Sequence, residues 1–115
     1  MEKSKYCITL DLSQTVSVNK LMAKKGDTAR QIVARLCEFG IPYAIDEECT
    51  AEFVMGNGHS AACTIEDGYI VYNFTGAETT NVGVHECEFV LRQGNEQLTT
   101  PSFQIAVEDV LTTAS

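Results

Sequence analysis

The chain has 115 residues, 44% of them hydrophobic and 21% charged, with a net charge of −8. That length builds one hydrophobic core rather than two. The acidic balance argues against nucleic acid as a partner, and the absence of a long apolar run argues against a membrane partner.

No apolar secretion segment follows the charged start at Met1, Glu2, Lys3 and Lys5. The expectation is a single domain over residues 1–110, with 111–115 beginning a linker or tail. The five cysteines, Cys7, Cys37, Cys49, Cys63 and Cys87, are odd in number and widely spaced, with no C-x-x-C pair. They read as small hydrophobes with free thiols in a reducing compartment.

In chain order, residues 5–12 alternate Tyr6, Ile8, Leu10 and Leu12 against Cys7, Thr9 and Asp11, the pattern of a half-buried strand. Residues 13–19 read as a polar connection and residues 21–24 as a short strand, ended by the charged turn Lys25, Gly26, Asp27. Residues 28–39 read two ways. As a helix, Thr28 caps the N-terminus and Ile32, Val33, Leu36 and Phe39 share a stripe. As a strand, Ile32, Ala34 and Leu36 point inward. Pro42 keeps residues 41–45 extended, and Asp46, Glu47 and Glu48 form an acidic loop.

From Cys49 onward strands dominate. Ala51, Phe53 and Met55 alternate with polar neighbours, as do Ala61, Cys63 and Ile65. Asp67 and Gly68 suit a two-residue hairpin turn, and residues 69–74 return from it, apolar on both faces. Residues 75–81 read as a loop with room for one helical turn. Cys87, Phe89 and Leu91 alternate with Glu86, Glu88 and Arg92, and Phe103, Ile105 and Val107 form a last strand. Pro101 cannot donate to a ladder and marks a bulge or a change of sheet. Short strands at this spacing predict an all-β fold, and in their company residues 28–39 read as a strand.

The chemistry is sparse. His59 and His85 lack metal-ligand spacing and read as surface residues. Glu86 and Glu88 share one strand face, and Asp46–Glu48 lacks the pattern of a calcium loop. No nucleophile elbow, phosphate loop or dinucleotide fingerprint is present. The reading is a binding or structural module, not an enzyme, with no catalytic residue, metal or cofactor. Charge is uneven along the chain. Lys3, Lys5, Lys20, Lys24, Lys25, Arg30 and Arg35 precede residue 36, and after them Arg92 is the only base. Folded onto separate faces, these charges suit contacts between subunits. Lys20, Lys24, Lys25, Arg30 and Arg35 are therefore the expected partner-binding residues.

Six segments together resemble a known family. They are residues 6–12, 24–36 with the Gly26-Asp27-Thr28 strand entry, 40–43 with Gly40, Pro42 and Tyr43, 63–68, 86–91, and 98–108 with Thr100, Pro101 and Phe103. In order and spacing they are similar to the N-terminal domain of phage baseplate upper proteins. The resemblance implies an immunoglobulin-like antiparallel β-sandwich of about seven to nine strands. It implies a virion protein, assembled in the bacterial cytoplasm, that docks on the baseplate core and helps carry receptor-binding proteins. Its partners would be other baseplate and tail proteins and further copies of itself. It also makes Gly26 and Asp27 a turn into a long strand. The alternative reading is an immunoglobulin-like adhesion or carbohydrate-binding module, for which Tyr6, Tyr43, Tyr69 and Tyr72 are the only large aromatics with a polar tip.

Overall fold

A computed structural model of the chain describes residues 1–111. Of the tail expected at 111–115, residues 112–115 lie outside the described residues. The fold is all-β. Its strands are β1 (Ser4–Asp11), β2 (Val16–Lys24), β3 (Arg30–Glu38), β4 (Ile41–Pro42), β5 (Thr50–Met55), β6 (Ser60–Glu66), β7 (Tyr69–Asn73), β8 (Gly83–Gln93), β9 (Glu96–Thr99) and β10 (Ser102–Glu108). One turn of 3-10 helix, Ala77–Thr79, lies in the loop where a helical turn was expected.

The strands form one sheet in the order β1-β3-β7-β6-β5-β8-β10-β2, with β4 beside β3 and β9 beside β8. The sheet is nearly closed into a barrel. The strand β6 links its two halves. Ser60, Ala61, Ala62 and Cys63 pair with β5, whereas Thr64, Ile65 and Glu66 pair with β7. The strand count is ten. It exceeds the expected range partly because β4 has two residues and partly because Pro101 divides the last strand. Val90 pairs with Thr99 but Cys87 with Phe103, so one extra residue is taken up at Thr100 and Pro101. Thr100 repairs the ladder there. Its hydroxyl accepts the Phe89 N–H at 3.0 Å, and its own N–H donates to the Phe89 carbonyl at 2.9 Å.

Residues 30–38 form a strand, not a helix. Ile32, Ala34 and Leu36 are fully buried on one face. The strand sits between β1, which it pairs in parallel, and β7, so its backbone is bonded on both sides. Tertiary pairing decides what local periodicity left level. Phe39, which a helix would have buried, stands 81% exposed in the two-residue turn to β4. Phe39 has φ 50° and Gly40 φ 78°, the twist a tight hairpin requires. Left-handed backbone is costly for phenylalanine, and Asp11 holds it. Its Oδ1 accepts the Phe39 N–H at 3.0 Å and its Oδ2 the Gly40 N–H at 3.1 Å. Asp67 and Gly68 make the expected turn between β6 and β7, with φ 52° and 81°.

The second strand begins five residues earlier than the short strand expected at 21–24, and the polar connection expected at 13–19 is partly strand. Val16 pairs with Ser102 and Lys20 with Gln104, so three residues of β2 face one of β10. Burial still alternates through this bulge, but Ser17 and Asn19 hold the half-buried positions and Val16 and Val18 stand in solvent, so the apolar pattern that marks a strand in sequence is missing. Asn19 uses the bend to donate from Nδ2 to the Thr9 carbonyl across the gap between β2 and β1. The Tyr6 hydroxyl donates to the Met22 carbonyl across the same gap. These side-chain bridges replace a ladder along that seam.

Inside, Phe53 stacks on Tyr72 with ring centroids 4.2 Å apart, and Phe89 on Phe103 at 5.3 Å. Phe53 and Phe89, 5.8 Å apart, join the two pairs into one aromatic spine. Each of these buried rings contributes about 1.5–3 kcal/mol by removal from water.

Candidate functional site

The five expected partner-binding residues do not form one patch. Lys20 and Lys24 project outward from β2, and Lys25 is exposed in the turn that follows. Lys24 Nζ lies 3.4 Å from Glu108 Oε2, with both side chains about half exposed, so the pair contributes little to stability. Arg35 projects outward from β3 in register with Thr9, on the far side of the seam.

Arg30 is withdrawn from the set. Its guanidinium contacts Asp27 Oδ2 at 2.8 Å and lies 5.4 Å from the centre of the Tyr6 ring. Burial pushes Asp27 up, but the Lys24 N–H and the Arg30 guanidinium outweigh it and hold the carboxylate below its usual range. Burial pushes the Tyr6 phenol up despite the opposing pull of Arg30. Arg30 therefore fixes the entry into β3 rather than offering a free charge. Lys20, Lys25 and Arg35 have no ion-pair partner among the described residues.

The acidic side is equally ordered. Glu86 and Glu88 project from β8 beside a shallow cavity of about 220 Å³ between Val54, Met55 and Ser102. Glu52 on β5 is held by Arg92 at 3.0 Å. The cations of β2 and the carboxylates of β8 thus flank β10 on one sheet.

A second constellation was not legible in the sequence. His59 is not the ordinary surface residue expected. Its Nε2 lies 3.0 Å from both the Tyr72 hydroxyl and Glu78 Oε2. Glu78 is fully buried. Its Oε1 accepts the Thr75 N–H at 2.9 Å and the Gly76 N–H at 3.1 Å, and its Oε2 accepts the Tyr72 hydroxyl. Burial alone raises a carboxyl, but these donors outweigh it and hold Glu78 below its ordinary value. Burial and the adjoining carboxylate push the Tyr72 phenol far up, so it stays a donor. The cluster ties the loop after β7 to the turn before β6. These hydrogen bonds brace that end of the barrel. Residues 59, 72 and 78 lie in three separate elements, and no spacing rule joins them.

The Nε2 of His85 lies 2.9 Å from the Asn81 carbonyl. No group of three or more His, Cys, Asp or Glu side chains converges as a metal site among the described residues. Of the tyrosines, Tyr72 is buried and Tyr6 lies beneath Arg30, which leaves Tyr43 and Tyr69 the more exposed.

All five cysteines are free, with Cys37 and Cys87 buried, Cys49 and Cys63 half-buried and Cys7 exposed. Burial pushes the Cys63 and Cys87 thiols up to about 12. A thiol-reactive dye should therefore label Cys7 first in the native protein and titrate five thiols after denaturation without reductant. Recovery of three or fewer would reveal a disulfide.

No family model matches this chain, and no curated protein matches it.

Proposed function

We propose that the chain is a structural domain of a tailed-phage virion, a baseplate module that docks on the baseplate core and helps carry receptor-binding proteins. On this reading the two halves of the sheet are the layers of an immunoglobulin-like sandwich, with β6 passing between them. The observation that supports it is the distribution of unsatisfied charge. Among the described residues Lys20, Lys25 and Arg35 have no ion-pair partner on either side of the β1–β2 seam, while Glu86 and Glu88 face outward from β8. Complementary patches of this kind steer and orient subunit contacts. The sequence resemblance to baseplate upper proteins supplies the particle.

The test is compositional. Tailed particles purified from a strain encoding the chain should contain it in fixed stoichiometry by mass spectrometry. A chain carrying Lys25→Glu and Arg35→Glu should melt like the native protein yet be lost from those particles. Particles that lack the native chain, or that incorporate the double variant normally, would overturn the proposal. Arg30 is left unchanged because it holds Asp27 inside the fold.

A further inference from the structure

We infer that the outer face of β2, β10 and β8 is a self-complementary surface that binds a second copy of this chain, about a two-fold axis running close to β10. The register of these three strands sets outward side chains in rows. Lys20, Gln104 and Glu86 form one row, and Met22, Ala106 and Val84 the next. Each row reads across the sheet from β2 through β10 to β8.

A two-fold axis along β10, lying between the stacked faces, places β2 of one copy over β8 of the other and keeps the rows aligned. Lys20 then meets Glu86 of the second copy, and the same contact forms again by symmetry. Met22 meets Val84 in the same reciprocal way. This is the condition for an isologous interface, in which one patch recognises itself.

The side chains suit close approach. Met22 is 46% and Val84 55% exposed, large for apolar groups on a sheet face, whereas Ala106 between them is 5% exposed. They make two apolar ridges flanking a shallow floor, so each ridge of one copy abuts the opposite ridge of the other. Among the described residues Lys20 has no carboxylate partner, and Glu86 has no cation, only the Gln104 amide at 2.8 Å. Glu108 approaches its own copy near the axis, but Lys24 bridges it in each chain. The contact uses Lys20 and leaves Lys25 and Arg35 to other proteins, so it does not depend on the phage reading.

The experiment is a charge swap on the full chain, read by sedimentation equilibrium. The native protein should dimerise, more weakly as salt rises. Lys20→Glu and Glu86→Lys should each weaken the dimer about tenfold or more, because each sets like charges face to face twice. Mixed in equal amounts, the two variants should recover dimers, since both contacts then join opposite charges. The native Lys20 of one chain meets the native Glu86 of the other, and the two introduced side chains meet each other. Val84→Arg should abolish association in every background. Thermal melts confirm that each variant is folded. A native chain that stays monomeric at millimolar concentration, single swaps without effect, or a mixture that stays monomeric would each overturn the proposal.

Discussion

Glu78→Ala should destabilise the domain by about 3–5 kcal/mol, the cost of removing one member from a buried, fully bonded polar cluster. The substitution strands the N–H groups of Thr75 and Gly76 and leaves the Tyr72 hydroxyl without its acceptor. In a domain of this size that is a large part of the whole stability. Tyr72→Phe removes a single donor and should cost less, about 1–2 kcal/mol. The pH dependence carries a definite sign. Glu78 is held below its ordinary value of 4.5 in the folded chain. Its stabilising contribution is therefore present in full above that value and is lost as the pH falls through the folded-state value. Asp11, held down first by the Ser13 hydroxyl and then by backbone N–H groups, adds to the same acid loss. Urea titrations at neutral and acid pH should show the native midpoint falling with acid, and less steeply for Glu78→Gln. A Glu78→Ala protein with an unchanged midpoint would refute the bracing role.

Leu36→Asp and Phe103→Asp should each leave the chain unfolded. Both side chains are fully buried, Leu36 on the inward face of β3 and Phe103 in the aromatic spine. Either carboxylate would enter the core without a partner, a cost that exceeds typical domain stability when added to the lost packing. Phe103→Ala, which makes only a cavity, should cost about 3–5 kcal/mol and keep the fold. Circular dichroism separates these outcomes, and a native β spectrum from either aspartate variant would show that the inward face is misplaced.

The strands were legible where alternation ran unbroken. In β1, β8 and β10 the inward residues Ile8 and Leu10, Phe89 and Leu91, and Phe103 and Ile105 are buried as the sequence pattern demands. The pattern failed at β2 because polar Ser17 and Asn19 take the half-buried positions of its first half while Val16 and Val18 stand in solvent. At β3 the local signals were level, because Thr28 and Gly40 suit helix ends and hairpin turns alike. Pairing with β1 and β7 settled it. The cations were visible as a group in sequence, but not that Arg30 would turn inward to Asp27 and Tyr6, a contact set by the turn at Lys25 and Gly26. The Glu78 cluster was hidden because hydrogen bonds between distant loops leave no periodic mark.

The position of β10 bears on how the chain is made. Among the described residues the strand β2 has no ladder partner other than β10, and Lys24 and Glu108, neighbours in that pairing, are 84 residues apart. During synthesis β2 leaves the ribosome well before β10 and waits for some 84 further residues before its backbone is matched. So non-local a closure belongs to the slow regime of milliseconds to seconds. Over that interval the lysines along β2 act as gatekeepers, keeping an unmatched strand in water until its partner arrives.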